Sequence, residues 1–160
     1  MMSKPLVVIL MGSKADMEHS IKISDACKQY GLETVLRIAS AHKTPEHAIS
    51  LLSEYESDDR PKVYITVAGR SNALSGFTDG SVSAPVIACP PSSDSFGGAD
   101  VFSSLRMPSG IAPAVVLEPA NASLLAAKIF GVTNLEVREQ VRASQQRAAD
   151  KIIQDDASVR

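Results

Sequence analysis

The apolar positions of this chain fall into short continuous runs that alternate with stretches of helical spacing. Leu6-Val7-Val8-Ile9-Leu10 has no polar interruption, the pattern of a strand covered on both faces. Met11-Gly12-Ser13 ends the run. A helix is expected over about 16–30, where Ile23, Ala26, Cys27 and Tyr30 recur on one face and Gly31 supplies the stop. A second strand, about 34–38, leads into Ala39-Ser40-Ala41-His42-Lys43. Thr44-Pro45-Glu46 then reads as an N-cap, a proline at the first helical position and a first-turn acid. The helix it opens has Ala48, Leu51, Leu52 and Tyr55 as its buried stripe. Residues 63–67, 85–88 and 114–117 complete the set of strands, with a short helix near 99–105 before the last of them. Asn121 is expected to cap a helix whose apolar face includes Leu124, Leu125 and Ile129 and which Gly131 ends. The final segment, 135 to about 153–156, is amphipathic, with Val137, Val141, Ala148 and Ile152 on one side.

Strands alternating with helices, with no repeat, linker or composition break, predict one α/β domain over 1–160. The expected architecture is a three-layer αβα sandwich, flavodoxin-like or Rossmann-like, around a parallel sheet of about five strands. Its C-terminal helix has no sheet left to cover and is expected against a second copy of the chain. Composition narrows the classes. The 160 residues are 44% hydrophobic and 21% charged with a formal net charge of −2, so no basic face for nucleic acid is expected. No apolar stretch approaches the roughly 20 residues that span a bilayer. The first eleven residues read as leading into a strand and not as a signal peptide, so a cytoplasmic protein is expected. Cys27 and Cys89 have no metal-ligand spacing and read as free thiols.

In parallel sheets, ligands sit beyond the carboxyl ends of the strands. Three loops stand there, each unusual in composition. Gly12-Ser13-Lys14-Ala15-Asp16 offers backbone N–H groups, a hydroxyl and a cation at a helix start, suiting a phosphate, with Asp16 available for ribose hydroxyls. Capping of the helix by Ser13 or Asp16 explains the same residues. Ser40-Ala41-His42-Lys43 sets an imidazole, able to move protons near neutral pH, beside an ammonium that favours its neutral form. A loop histidine bonded to a carbonyl, with a solvated lysine, is the other reading. Gly69-Arg70-Ser71-Asn72 combines a residue permitting close backbone approach with donors for a carboxylate or carbon dioxide; Arg70 also suits an inter-subunit ion pair. His19 and His47 lie within the helices, where structural roles are expected. No nucleophile elbow, phosphate-binding Walker loop, dinucleotide fingerprint or zinc spacing occurs.

Together, Met-Gly-Ser-Lys-x-Asp, Ser-Ala-His-Lys-Thr-Pro and Ala-Gly-Arg-Ser-Asn-Ala-Leu-Ser-Gly resemble the PurE family of phosphoribosylaminoimidazole carboxylases. The resemblance runs on through Cys89-Pro90-Pro91, the stretch from Ser103 to Gly110, and Glu118-Pro119-Ala120-Asn121-Ala122. Lys43 and Arg70-Ser71-Asn72 resemble the class II branch, which uses free carbon dioxide; the mutase branch carries Arg after the histidine and a Gly-Gly-Ala-Ala-His-Leu-Pro third loop. One departure is Ala15, where the family often has a second serine.

The resemblance implies reversible carboxylation of 5-aminoimidazole ribonucleotide, with His42, Lys43 and Ser71 catalytic. It implies substrate contacts from Gly12, Ser13, Asp16, Ser40, Ala41, Lys43, Gly69, Arg70, Ser71, Asn72, Met107 and Pro108. Carbon dioxide would be the co-substrate, with no cofactor, ATP, biotin or metal, in a homo-oligomer (tetramer or octamer). A mutase acting on the N-carboxy isomer, a non-enzymatic flavodoxin-like nucleotide-binding module and a purely structural oligomer are the alternatives.

Overall fold

A computed structural model describes residues 4–160; the part of the N-terminal reading that falls on residues 1–3 lies outside them. Five strands form one sheet: β1 (Leu6–Met11), β2 (Glu33–Ile38), β3 (Lys62–Val67), β4 (Val86–Ala88) and β5 (Ala114–Val115). Their spatial order is β2-β1-β3-β4-β5, and every neighbouring pair is parallel. The expected α/β architecture is thus present. β1 lies between β2 and β3, and all six of its residues are buried, which is why its sequence carries no polar position.

The side chains of β1 alternate between two cores. Val7, Ile9 and Met11 join Val63, Ile65 and Ile87 beneath three helices, α1 (Met17–Lys28), α5 (Pro119–Gly131) and α6 (Leu135–Ser158). Leu6, Val8 and Leu10 join Tyr64 and Val86 beneath α2 (Pro45–Glu56), with Leu74 from the short α3 (Leu74–Asp79). Between β4 and β5 runs an irregular stretch, a 3-10 segment (Ser95–Val101) followed by the one-turn α4 (Phe102–Leu105). Among the described residues, no helix is long and apolar enough to cross a membrane.

Three details differ from expectation. Glu118, not Asn121, occupies the N-cap of α5, because Pro119 is suited to the first helical position and starts the helix earlier. The fully buried face of α5 is made of Ala122, Ser123, Ala126 and Ala127, with Leu124, Leu125 and Ile129 only partly covered. Small residues let α5 approach α1 closely, and the Ser123 hydroxyl is shared between the Ile23 and Pro119 carbonyls at 2.8 and 3.0 Å. On α6, expected to have no sheet left to cover, Val137 and Val141 instead join this chain's own core, whereas Ile152 and its neighbour Ile153 are 68% and 66% exposed and Ala148 is exposed too. The start of α6 is fixed by Asn134, whose side chain accepts a hydrogen bond from Val137 N–H at 3.1 Å.

α3 receives a strap of chain. A Cβ placed on Gly76 would meet Met107 Sδ at 2.9 Å, and one on Gly80 would meet Ile111 Cδ1 at 3.0 Å. Asp79 Oδ2 accepts the Ala112 N–H at 2.8 Å beside them. A larger residue at either position would displace the Met107 or Ile111 side chain.

Candidate active site

The loops after β1, β2 and β3 enclose one cavity of about 580 Å³, within the range that holds a nucleotide-sized ligand. It is lined by Gly12, Ser13, Ala15 and Asp16 from the first loop, Ser40, Ala41, His42 and Lys43 from the second, and Ala68, Gly69, Arg70, Ser71, Ala73 and Leu74 from the third. Pro91 and Ser93 close it from the loop after β4. A smaller cavity of about 230 Å³ adjoins it and shares Gly69, Pro91 and Ser93.

The first loop is braced within itself. Asp16 Oδ2 accepts from the backbone N–H and the hydroxyl of Ser13, at 3.1 and 3.3 Å, across a 3-10 turn. Asp16 thus lines the cavity and closes the 3-10 turn, while at the N-cap of the helix Met17–Lys28 its side chain makes no hydrogen bond to that helix. Lys14, between them, is not among the lining residues.

The second loop is also braced locally. Ser40 N–H donates to Thr44 Oγ1 at 2.9 Å, Thr44 Oγ1–H returns to the Ser40 carbonyl at 3.2 Å, and Ser40 Oγ accepts from Lys43 N–H at 3.1 Å. Thr44 holds the N-cap position of α2 as expected, but its side chain bonds back into the loop instead of to the helix N–H groups. The turn so made presents the exposed side chains of His42 and Lys43, both of which line the cavity.

The third loop is held differently. Arg70 has φ of 60°, a left-handed conformation that costs a side-chain-bearing residue about 1–2 kcal/mol. A Cβ on Gly69 would meet Pro91 Cγ at 3.4 Å, so the small residue lets the loop lie against the proline wall. Ser71 and Asn72, expected together as donors to a ligand, part company. Ser71 is exposed and lines the cavity, whereas Asn72 is 4% exposed and does not. The Asn72 amide is used inside the protein: Nδ2 donates to Ser104 Oγ at 2.9 Å, and Oδ1 accepts from Ser75 N–H at 3.1 Å. Its backbone N–H donates to Ser103 Oγ at 2.9 Å. Met107 and Pro108 also lie outside the lining, Met107 being packed on Gly76.

Pro91 and Ser93 were not singled out from sequence; the signal for them was their place just beyond a strand's carboxyl end. Behind this fourth loop, His19 Nε2 lies 3.4 Å from the sulfur of the buried Cys89. Burial holds the His19 imidazole below its ordinary value, against an opposing pull from the Cys89 backbone. Burial, helped by the charge of Glu118, pushes the Cys89 thiol up to about 12. This is a packing contact of two neutral groups, the structural role expected of His19. His47 is exposed on α2, outside the cavity lining.

This geometry has close relatives. A family model described as AIR carboxylase matches residues 6–151. A curated phosphoribosylaminoimidazole carboxylase from Treponema denticola is 59% identical over 157 residues, covering 98% of this chain and 99% of that protein. One from Archaeoglobus fulgidus is 54% identical over 153 residues, 96% of this chain and 84% of that protein. A crystal structure of Treponema denticola PurE superposes with a TM-score of 0.97 at 59% identity, over 98% of this chain and 99% of that one. With the match running through all three cavity loops and nearly the full length, the chain belongs to the AIR carboxylase family.

Proposed function

We propose that this protein carboxylates 5-aminoimidazole ribonucleotide with carbon dioxide, reversibly and without ATP, biotin or a metal, as a step of purine biosynthesis. The observation that carries the reading is that the second and third loops line one cavity. His42 and Lys43 stand exposed on a braced turn and line the same cavity as Arg70 and Ser71. A nucleotide-binding module would use the first loop but has no need of an imidazole–ammonium pair there.

The chemistry follows from the substrate. The aminoimidazole ring is electron-rich, and the carbon beside the amino-bearing carbon attacks carbon dioxide directly. That carbon becomes tetrahedral and keeps its hydrogen. His42 takes the proton, the C–H electron pair returns to the ring, and aromaticity is restored. In reverse, the same imidazole returns the proton before carbon dioxide leaves. Lys43 and Ser71 hold the nascent carboxylate, giving it fixed charge and a hydroxyl donor in place of water. Ser13 and the first-loop backbone hold phosphate, and Asp16 and Ser40 take ribose hydroxyls. Carbon dioxide is small and symmetric, so most of the rate enhancement comes from positioning it against the ring. The uncovered Ile152 and Ile153 on α6 support a homo-oligomer, which light scattering at micromolar concentration tests.

The deciding assay supplies purified protein with the ribonucleotide and excess bicarbonate, with and without ATP. Turnover without ATP supports the direct carboxylase. Silence there, with turnover once the N-carboxy isomer is supplied, makes the protein a mutase and removes the branch reading of Lys43 and Arg70-Ser71-Asn72.

A further inference from the structure

We propose that Asn72, Ser103 and Ser104 form a clasp that sets the reactive shape of the third loop, making the two α4 serines positioning residues for catalysis. The inference rests on the carboxylase reading only for which reactant the third loop engages. The clasp itself is geometric. Asn72 follows Arg70 and Ser71 directly, and its backbone N–H and both ends of its side-chain amide are committed inside the protein. Its N–H and its Nδ2 go to two adjacent hydroxyls on α4, and Oδ1 goes to the start of α3. Ser103 Oγ in turn donates its proton to the Asp100 carbonyl at 2.7 Å, so its lone pairs are turned towards the Asn72 N–H. Ser104 is 1% exposed, which keeps water from replacing its bond to Asn72.

The clasp is closed at its other end as well. Past α4 the chain returns to α3, where Met107 and Ile111 lie over Gly76 and Gly80 and Asp79 takes the Ala112 N–H. α4 is only four residues long and follows three consecutive left-handed residues, Phe96, Gly97 and Gly98, so its own helical bonds do not fix its place. It is located by what it grips. Between the end of β3 and the clasp at Asn72, the third loop is held with Arg70 at φ 60°, a conformation an untethered arginine leaves. Releasing the clasp lets Arg70 relax and swings Ser71 away from the reacting carboxylate. Phosphate and ribose, held by the first and second loops, are left in place.

The test compares Ser103→Ala with Ser103→Thr, which keeps the hydroxyl at a half-buried position. Steady-state rates are measured with the ribonucleotide and bicarbonate varied separately, after circular dichroism has shown the fold intact. Ser103→Ala is expected to lower kcat about tenfold and raise the bicarbonate KM, with the ribonucleotide KM within about twofold of wild type. Ser103→Thr is expected to restore both. Hydrogen exchange at the amides of Asn72 to Ser75 should quicken in Ser103→Ala while those of β1 and β3 stay protected. Ser104→Ala serves the same comparison if Ser103→Ala does not accumulate folded. Unchanged kcat and exchange in a folded Ser103→Ala protein would overturn the clasp, as would a threonine variant no better than alanine. If wild type turns over only the N-carboxy isomer, the carboxylase reading falls. The same variants are then assayed in that reaction, where kcat, threonine rescue and exchange still decide the clasp.

Discussion

The first two loops of the cavity and the third reach similar order by opposite means. Ser13 with Asp16, and Ser40 with Thr44, brace their loops through partners three and four residues away. Asn72 braces the third through Ser103 and Ser104, 31 and 32 residues away. A local brace forms with its loop and stays beside water, which replaces its bonds at little cost. A remote one requires the rest of the sheet to be in place, and its buried bonds have no substitute. The third loop is thus the part of the cavity wall most dependent on the whole fold.

The largest expected effect separates chemistry from either kind of brace. His42→Asn should lower carboxylation by about 10²–10⁴-fold while leaving ribonucleotide binding and unfolding unchanged, since the ring is exposed and supports nothing. Retained turnover removes His42 as the base. Asn72→Ala should instead damage both, destabilising the protein by about 2–4 kcal/mol because Ser104 Oγ and Ser75 N–H lose their buried partner. A shift in the urea midpoint checks this; a shift no larger than that of a local brace would erase the contrast between the loops.

Alkaline pH tests the burial of the two thiols, Cys27 on α1 and Cys89 at the start of the fourth loop. Burial raises Cys27 to about 11 and Cys89 to about 12, from an ordinary 9.0. The unfolded chain therefore loses these protons first, so stability is complete below pH 9 and falls as pH rises towards the folded values. Between pH 9 and 10 the two thiols account for about 2 kcal/mol. A urea midpoint that stays flat over that interval contradicts their burial. The smallest effect is expected from Thr44→Ala, about 0.5–1.5 kcal/mol, because both bonds it removes are exposed. A loss as large as that for Asn72→Ala would show that the second loop too depends on more than its neighbours.

The same divide explains what the sequence made legible. The continuous run in β1, the proline at the start of α2 and the polar turns at strand ends are signals within a few residues of what they determine. The elements and two of the three loops could be read from them. Helix capping by Asp16 was one of two open readings, and the structure shows its side chain closing the 3-10 turn while lining the cavity. Asn72 was read as a ligand donor because nothing near it in sequence reveals that Ser103 and Ser104 take its hydrogens. Met107 was expected beside the ligand for the same reason, and lies instead on Gly76. Leu124 and Leu125 outweighed Ala122 and Ala126 on hydrophobicity, but the closeness of α1 and α5 favours the small side chains.

The contact between Gly76 and Met107 has a consequence for how this chain can vary. At 2.9 Å an extra methyl group at position 76 and the methionine sulfur cannot both keep their present places. Growth at position 76 therefore displaces the Met107 side chain and is eased by a smaller residue at position 107, although 31 positions separate them along the chain. In a library randomised at both sites, survivors should trade volume pairwise. The strap would then appear as a correlation between two columns of letters, visible to someone who had never seen the fold.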